Sequence, residues 1–145
     1  MVYIDTSVWV AALCREPFTP TAQAWLEKQA PGALNVSGWV QAEFASALAL
    51  KQRTGQLDAA QAAEVMTLFS ASLEQACRRV SVEEADFALA ARLAADPASG
   101  LRAGDALHLA MAAREGLALV TLDSTLAKAA VRFGVQARLL QEELA

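Results

Sequence analysis

Four acidic residues occupy positions at which carboxylates could do chemistry. Asp5 follows one short apolar run and Asp123 follows another, whereas Glu43 and Asp105 lie inside stretches with helical periodicity. In open parallel sheets, ligands bind in the crevice beyond the carboxyl ends of the strands. If the two apolar runs are neighbouring parallel strands, we expect Asp5 and Asp123 to lie on the same edge of the sheet.

Glu43 is the acid whose position is hardest to explain without a function. At about 100° per residue, its side chain falls between Trp39 and Phe44, in the apolar stripe that should face the sheet. An unpaired buried carboxylate costs several kcal/mol, so Glu43 needs a cation, a proton or an opening to a crevice. The alternative is a salt bridge to an arginine elsewhere, because on its own helix only Lys51 lies near the same arc.

The other three acids each have a simpler explanation as well. Asp5 and Asp123 stand where aspartate often serves as a helix N-cap, and Asp105 lies in a first helical turn, where the helix dipole favours an acid. The dipole does not explain why Asp105 points along the apolar strip that contains Leu109. We expect His108, three residues after Asp105, to be a packed and hydrogen-bonded residue rather than a metal ligand.

Convergence of the four acids on one sheet edge would place like charges at close range. Such carboxylates raise one another's pKa and destabilise the fold, so we expect a hard divalent cation among them. Oxygen ligands, with no cysteine cluster and no second histidine, suit Mg²⁺ or Mn²⁺. Asp5 and Asp105 are candidate ligands of a first ion, with Glu43 in a shared or water-mediated contact, and Asp123 is the candidate for a second.

Carboxylate-held pairs of such ions are typical of in-line attack on phosphodiester bonds. One ion activates the attacking water and another stabilises the leaving oxygen. The net charge of −4 and the lack of a basic stripe argue against nucleic-acid binding by bulk charge alone. A metal ion would supply the positive charge that a polynucleotide substrate requires.

The elements that must position these acids alternate along the chain. Short apolar runs separated by helical stretches are typical of a parallel sheet covered on both faces, so we predict an α/β protein with a mostly parallel five-stranded sheet flanked by helices. The predicted strands are 2–4, 34–37, 79–82, 117–122 and 135–139. The predicted helices are 7–13, 19 to about 31, 38–53, 58–77, 83–95, 102–115 and 124–133.

Composition narrows the class of protein further. The 145 residues, 55% of them hydrophobic, fit one domain spanning residues 1–145 and exclude intrinsic disorder. No apolar run approaches the about 18 residues of a membrane span. Cys14 and Cys77 form no metal or redox pattern. We therefore expect a soluble protein with free thiols in a reducing, cytoplasmic compartment.

Four segments, taken together, resemble one known family. They are VYIDTSVWVAAL, VQAEFASALA with its central Glu43, LRAGDALHLAMA and LVTLDSTLA. In this order and approximate spacing, and over essentially the whole chain, they resemble the PIN-domain ribonucleases. They are most similar to the small single-domain branch, the VapC-type toxins of bacterial toxin–antitoxin pairs.

The resemblance implies an activity and partners. It implies a PIN-like domain that acts as a Mg²⁺- or Mn²⁺-dependent endoribonuclease, with Asp5, Glu43, Asp105 and Asp123 as its acidic site and a supporting hydroxyl from Thr6 or Ser7. It also implies an RNA substrate, a homodimer and a cognate antitoxin that blocks the site. Many members carry a further acid beyond the fourth position, which this chain lacks, so the number of metal ions stays open.

Two other functions are compatible with the same residues. One is a PIN nuclease of RNA processing that has no antitoxin. The other is a PIN domain that binds a protein partner and no longer cuts RNA.

Overall fold

Five short strands, all parallel, form the centre of the protein. The computed structural model describes residues 1–141, so residues 142–145 of the predicted domain lie outside the described range. The strands are β1 (Val2–Ile4), β2 (Leu34–Ser37), β3 (Cys77–Val80), β4 (Ala118–Thr121) and β5 (Ala137–Leu139). Their order across the sheet is β3-β2-β1-β4-β5. The predicted α/β fold with a five-stranded sheet is therefore confirmed, and every strand pair is parallel.

Helices connect the strands and cover the sheet. They are α1 (Thr6–Leu13), α2 (Thr19–Glu27), α3 (Gly38–Arg53), α4 (Ala59–Ala76), α5 (Glu84–Ala95), α6 (Ala103–Glu115) and α7 (Ser124–Arg132), with a short 3₁₀ turn at Pro97–Ser99. No helix in the described range is long and apolar enough to cross a membrane.

Several of the predicted boundaries are exact. The structure has β1, β2 and α3 at the predicted residues. The third strand is Cys77–Val80 rather than 79–82, because it pairs with β2 in a register that sets Leu34 opposite Cys77. The second helix ends at Glu27, several residues before the predicted end, and the 3₁₀ turn was not predicted.

Local signals in the sequence explain where several helices begin and end. Asp58 and Gln61 form both hydrogen bonds of a capping box at the start of α4. Ser37 caps α3 by accepting a hydrogen bond from the Val40 N–H. Gly116 ends α6 with φ of +66°, a left-handed conformation that glycine adopts without strain.

The core lies on both sides of the central strands. All four residues of β2 are buried, as are most residues of β1 and β4, which explains why β1 and β4 appear in the sequence as apolar runs. On one side, α3 and α4 are joined by the stacked rings of Phe44 and Phe69, whose centroids are 3.8 Å apart. Cys14 is buried and Cys77 half-buried, and both are free thiols, as predicted.

The position of β1 in the sheet determines where a site can form. The chain leaves β1 toward β2 on one side, and β4 pairs with β1 on the other. The carboxyl ends of β1 and β4 therefore meet at the point where the strand order reverses, which is the usual place for a ligand in such sheets. The register sets Ile4 opposite Val120, so the residues that follow these two strands are neighbours.

Candidate active site

Asp5 lies directly beyond β1 and is almost completely buried. Only 3% of its surface is exposed. It stands at the N-cap position of α1, but its side chain makes no capping hydrogen bond. Instead, its two oxygens accept hydrogen bonds from the hydroxyls of Ser7, at 2.5 Å, and Thr121, at 2.6 Å.

Burial dominates the electrostatics of Asp5. Loss of solvent raises the pKa of the carboxyl above its ordinary value, and this effect exceeds the opposing attraction of His108 and the hydrogen bonds from Ser7 and Thr121. The predicted hydroxyl support for the first acid is thus supplied by Ser7. Asp5 does occupy the N-cap position, and the Val8 backbone N–H lowers its pKa, but its side chain forms no full capping hydrogen bond.

Glu43 projects from α3 toward α6 and is half-buried. Its Oε1 accepts hydrogen bonds from the Thr6 hydroxyl, at 2.6 Å, and from His108 Nε2, at 2.5 Å. Burial raises the pKa of Glu43, but His108 and Thr6 together outweigh it, so the pKa lies below its ordinary value. The alternative of a salt bridge to an arginine is therefore not what the described residues show, because the contact of Glu43 is with a histidine.

A chain of hydrogen bonds continues from His108 into the core. Its Nδ1 lies 2.7 Å from the Tyr3 hydroxyl, which lies 2.8 Å from Ser37 Oγ. Only 1% of His108 is exposed, so the prediction of a packed and hydrogen-bonded histidine is confirmed. Burial raises the pKa of Tyr3 well above its ordinary value, although the hydrogen bond with Ser37 opposes this, and the phenol therefore stays neutral.

The first turn of α6 passes very close to Glu43. A Cβ atom at Gly104 would lie 3.1 Å from Glu43 Oε2 and 3.2 Å from the ring of Trp39. The Trp39 indole N–H also donates a hydrogen bond of 3.1 Å to the Gly104 carbonyl. Glycine thus favours the close approach of α3 and α6, since a larger residue would have to displace Glu43 or Trp39 slightly, and the approach places Glu43 Oε2 beside the residue that precedes Asp105.

Asp105 is half-buried in the first turn of α6. Burial, followed by the negative charges of Asp123, Asp5 and Glu43, raises its pKa to about 6 against the opposing effect of His108. The other three predicted acids therefore all act electrostatically on Asp105. This coupling is what like charges gathered at one edge of a sheet should produce.

Asp123 follows β4 and begins α7. Its Oδ1 accepts hydrogen bonds from the backbone N–H groups of Thr125, at 2.8 Å, and Leu126, at 3.2 Å. The structural explanation of this acid as a helix N-cap is therefore correct. The cap does not remove its charge, which acts on Asp105.

The donor set fits a hard divalent cation by its chemistry. The ion pairs that lysine and arginine form within residues 1–141 lie elsewhere, at Lys51–Glu16, around Arg114 and at Arg132–Asp96. The four acids thus offer oxygen ligands, and Glu43 is the one that contacts a histidine, at His108. In the described part of the chain, however, no three Asp, Glu, His or Cys side chains form a group that could hold a metal ion.

Two supporting residues were missed by sequence reasoning. Thr121 binds Asp5 across 116 positions of chain, and the expected pairing of the first and fourth strands was the signal that could have identified it. His108 was recognised as a packed residue, but its contact with Glu43 spans 65 positions. No local pattern predicts that contact.

Comparison with known proteins identifies the fold independently. The sequence profile of the PIN domain matches residues 2–132, whereas no curated protein sequence matches the chain. Among solved structures, FitAcB from Neisseria gonorrhoeae is similar with a TM-score of 0.71 and 22% identity, over 97% of this chain and 99% of that chain.

Two further structures share the fold. VapC20 from Mycobacterium tuberculosis, a sarcin–ricin loop cleaving toxin, has a TM-score of 0.70 and 19% identity, over 89% of this chain and 95% of that one. A toxin–antitoxin complex from Klebsiella pneumoniae has a TM-score of 0.60 and 16% identity, over 88% and 90%. With the profile covering most of its length, the chain belongs to the PIN domain family, as its four motifs predicted.

Proposed function

We propose that this PIN domain is a Mg²⁺- or Mn²⁺-dependent endoribonuclease and acts as the toxin of a toxin–antitoxin pair. The observation that carries the proposal is the electrostatic coupling of the acids at the carboxyl ends of β1 and β4. The pKa of Asp105 rises to about 6 under burial and the charges of Asp123, Asp5 and Glu43. Such a concentration of negative charge is costly to the fold unless a cation uses it.

The side chains at this edge have separate tasks in the proposed reaction. Asp5 and Asp105 would hold a first cation, Glu43 would share it or reach it through water, and Asp123 would hold or orient a second. When bound, the cations supply positive charge for the phosphodiester and activate the attacking water. The hydroxyls of Ser7 and Thr121 fix the orientation of Asp5.

Charge also governs how RNA could bind. With a net charge of −4, the protein repels a polyanion on average, and the four acids add to this repulsion at the site itself. Binding of RNA at the site should therefore depend on the divalent cation more strongly than on added lysine or arginine contacts. This dependence separates the proposal from an RNA-binding protein that uses a basic surface.

An antitoxin is the proposed protein partner. The similar fold of a toxin–antitoxin complex from Klebsiella pneumoniae and of a VapC toxin supports this choice over a PIN nuclease of RNA processing. We further propose a homodimer, which the exposed apolar side chains of Leu50, Leu68 and Phe87, each about half exposed, would favour. The free thiols are consistent with a cytoplasmic location.

Cleavage of RNA by the purified protein tests the enzymatic part of the proposal. We expect labelled RNA to be cut with Mg²⁺ or Mn²⁺, to remain intact with a chelator, and to remain intact with Asp5→Asn. The surface variant Asp96→Asn serves as the matched control and should cut normally. If the wild type leaves RNA intact at every metal concentration but binds a protein partner, the chain is a PIN domain that no longer cuts.

Expression in cells tests the biological part. We expect the wild type to arrest growth, Asp5→Asn to be harmless, and co-expression of the product of an adjacent small reading frame to relieve the arrest. A chain that cuts RNA in vitro but never arrests growth would instead be a PIN nuclease of RNA processing. Light scattering of the pure protein measures its oligomeric state.

A further inference from the structure

His108 has no part in the function proposed above, yet it is bound on both sides of its ring. It is the single histidine of the chain and is 1% exposed. Nε2 contacts Glu43 and Nδ1 contacts Tyr3. A side chain so fully enclosed cannot reach an RNA substrate, so any functional role must act through its neighbours.

The contact with Glu43 fixes one oxygen of the carboxylate and leaves the other available. Oε1 accepts hydrogen bonds from both Thr6 and His108. Oε2 lies on the side of Gly104, next to Asp105 in the chain. Rotation of the carboxylate would break two hydrogen bonds, one of them to a buried donor, which is costly.

The hydrogen bond at Nδ1 determines the orientation of the His108 ring. Because the Glu43 carboxylate can only accept, Nε2 must carry a proton. Nδ1 meets the Tyr3 hydroxyl, which in turn meets Ser37 Oγ. Tyr3 belongs to β1 and Ser37 caps α3, so the ring is held by the same two elements that carry Asp5 and Glu43.

We propose that His108 is a positioning residue that holds Glu43 with its free oxygen directed toward the Asp105 side of the site. The proposal rests on the proposed function, since it assigns His108 a role in forming the metal site. Groups that orient metal ligands through a hydrogen bond typically contribute 10–100-fold to metal affinity or activity. His108 reaches Glu43 directly, so we expect an effect within this range.

Two substitutions of similar size test the contacts of the two ring nitrogens of His108 separately. In His108→Gln the side-chain amide can take the place of Nε2 and donate to Glu43. In His108→Asn the shorter amide can take the place of Nδ1 and meet Tyr3, but it cannot reach Glu43. Both variants put a neutral amide into the same buried space, so a purely structural role predicts similar losses of stability in the two.

The main measurement is Mn²⁺ affinity in the absence of RNA, read by electron paramagnetic resonance of free Mn²⁺. We expect His108→Gln to bind Mn²⁺ within about threefold of wild type and His108→Asn to bind it at least about tenfold more weakly. Urea unfolding of both metal-free variants provides the structural reference. Equal Mn²⁺ affinities for the two variants, with both folded, would overturn the proposal.

Tyr3→Phe provides a variant that leaves the imidazole in place. It removes the hydroxyl that connects Nδ1 to Ser37, and we expect Mn²⁺ affinity to fall by about threefold because the ring is then held from one side only. This variant decides the matter if His108→Asn does not fold. Mn²⁺ affinity unchanged from wild type would then count against the proposal.

The single imidazole also gives a direct spectroscopic signal. Its two ring nitrogens report on one residue, so ¹⁵N spectra should show Nε2 protonated in the metal-free protein and should shift when Mg²⁺ is added. Metal binding that leaves both nitrogen signals unchanged would contradict a connection between His108 and the site.

Failure of the proposal and failure of the proposed function give different results. If wild-type protein neither binds Mn²⁺ nor cuts RNA, the nuclease assignment fails and the role of His108 fails with it. If wild-type protein does both and His108→Asn does both equally well, the nuclease assignment stands and only the role of His108 is lost.

Discussion

Two buried aspartates in this molecule have opposite surroundings. Asp86, 1% exposed, lies between α5 and α6, and Asp5, 3% exposed, lies at the end of β1. Asp86 accepts hydrogen bonds from Arg114 Nε, at 2.8 Å, and Nη2, at 3.0 Å. Asp5 has hydroxyl and backbone N–H donors but, in the described part of the chain, no arginine among its partners, and burial raises its pKa toward a neutral state.

The difference shows which acid serves the fold and which is free to serve a ligand. The fork of Arg114 satisfies both oxygens of Asp86 and also donates to the Ser81 carbonyl, which completes a structural ion pair. At the other region, Asp5 and Asp105 share their surroundings with two more acids, and within residues 1–141 no arginine ion pair is formed by either of them. A buried carboxylate without a cation of its own is a candidate for binding one.

The largest effect on the free energy of unfolding is expected at the ion pair between Asp86 of α5 and Arg114 of α6. Asp86→Asn removes the charge opposite Arg114 and should lower the free energy of unfolding by about 3 kcal/mol. The matched control is Asp96→Asn, which breaks the exposed Arg132 pair at 3.6 Å and should cost less than about 1 kcal/mol. Urea unfolding measures both. Similar losses in the two variants would contradict the distinction between a structural and an exposed pair.

At the candidate site we expect a substitution to raise the free energy of unfolding rather than lower it. Asp105→Asn removes a repelling charge, so the metal-free variant should be more stable than wild type by about 2 kcal/mol near pH 7.5, after allowance for solvent screening. RNA cleavage should be lost in the same variant. A loss of stability in the metal-free variant would mean that Asp105 has a structural role like that of Asp86.

The pH dependence of this gain follows from the raised pKa of Asp105. Because the pKa is about 6 in the folded protein and 3.8 ordinarily, the folded state binds more protons than the unfolded state between these values. Wild-type stability therefore falls as pH rises through this interval. The advantage of Asp105→Asn should be small at pH 4 and complete above pH 6, as measured by thermal unfolding across the range.

The smallest effect concerns the binding of metal to the folded state. At ten times its Kd, Mg²⁺ should add about 1.4 kcal/mol to the stability of the wild type by mass action. Glu43→Gln should reduce this gain, because the variant offers a neutral oxygen in place of a charged one. Asp86→Asn, outside the site, should show the full gain. Calorimetry with and without Mg²⁺ distinguishes the two.

Much of the fold could be predicted from local pattern alone. The apolar runs of β1 and β4 and the capping signal at Asp58 act over a few residues, and local signals of this kind determined the number, type and order of the main elements. The predicted strand boundaries were wrong where pairing between strands determines them. The register of β3 against β2, for example, moved that strand two residues toward the N-terminus.

The same distinction between local sequence pattern and tertiary packing applies to the candidate site. The sequence determined which acids lie at strand ends and on which helical face Glu43 falls, because these depend only on the local repeat of each element. Only the tertiary structure decided their partners, pairing Asp5 with Thr121 and Glu43 with His108. The physical reason is that a hydrogen bond between distant residues depends on how whole elements pack, to within a fraction of an ångström, and no periodicity in the chain carries that information.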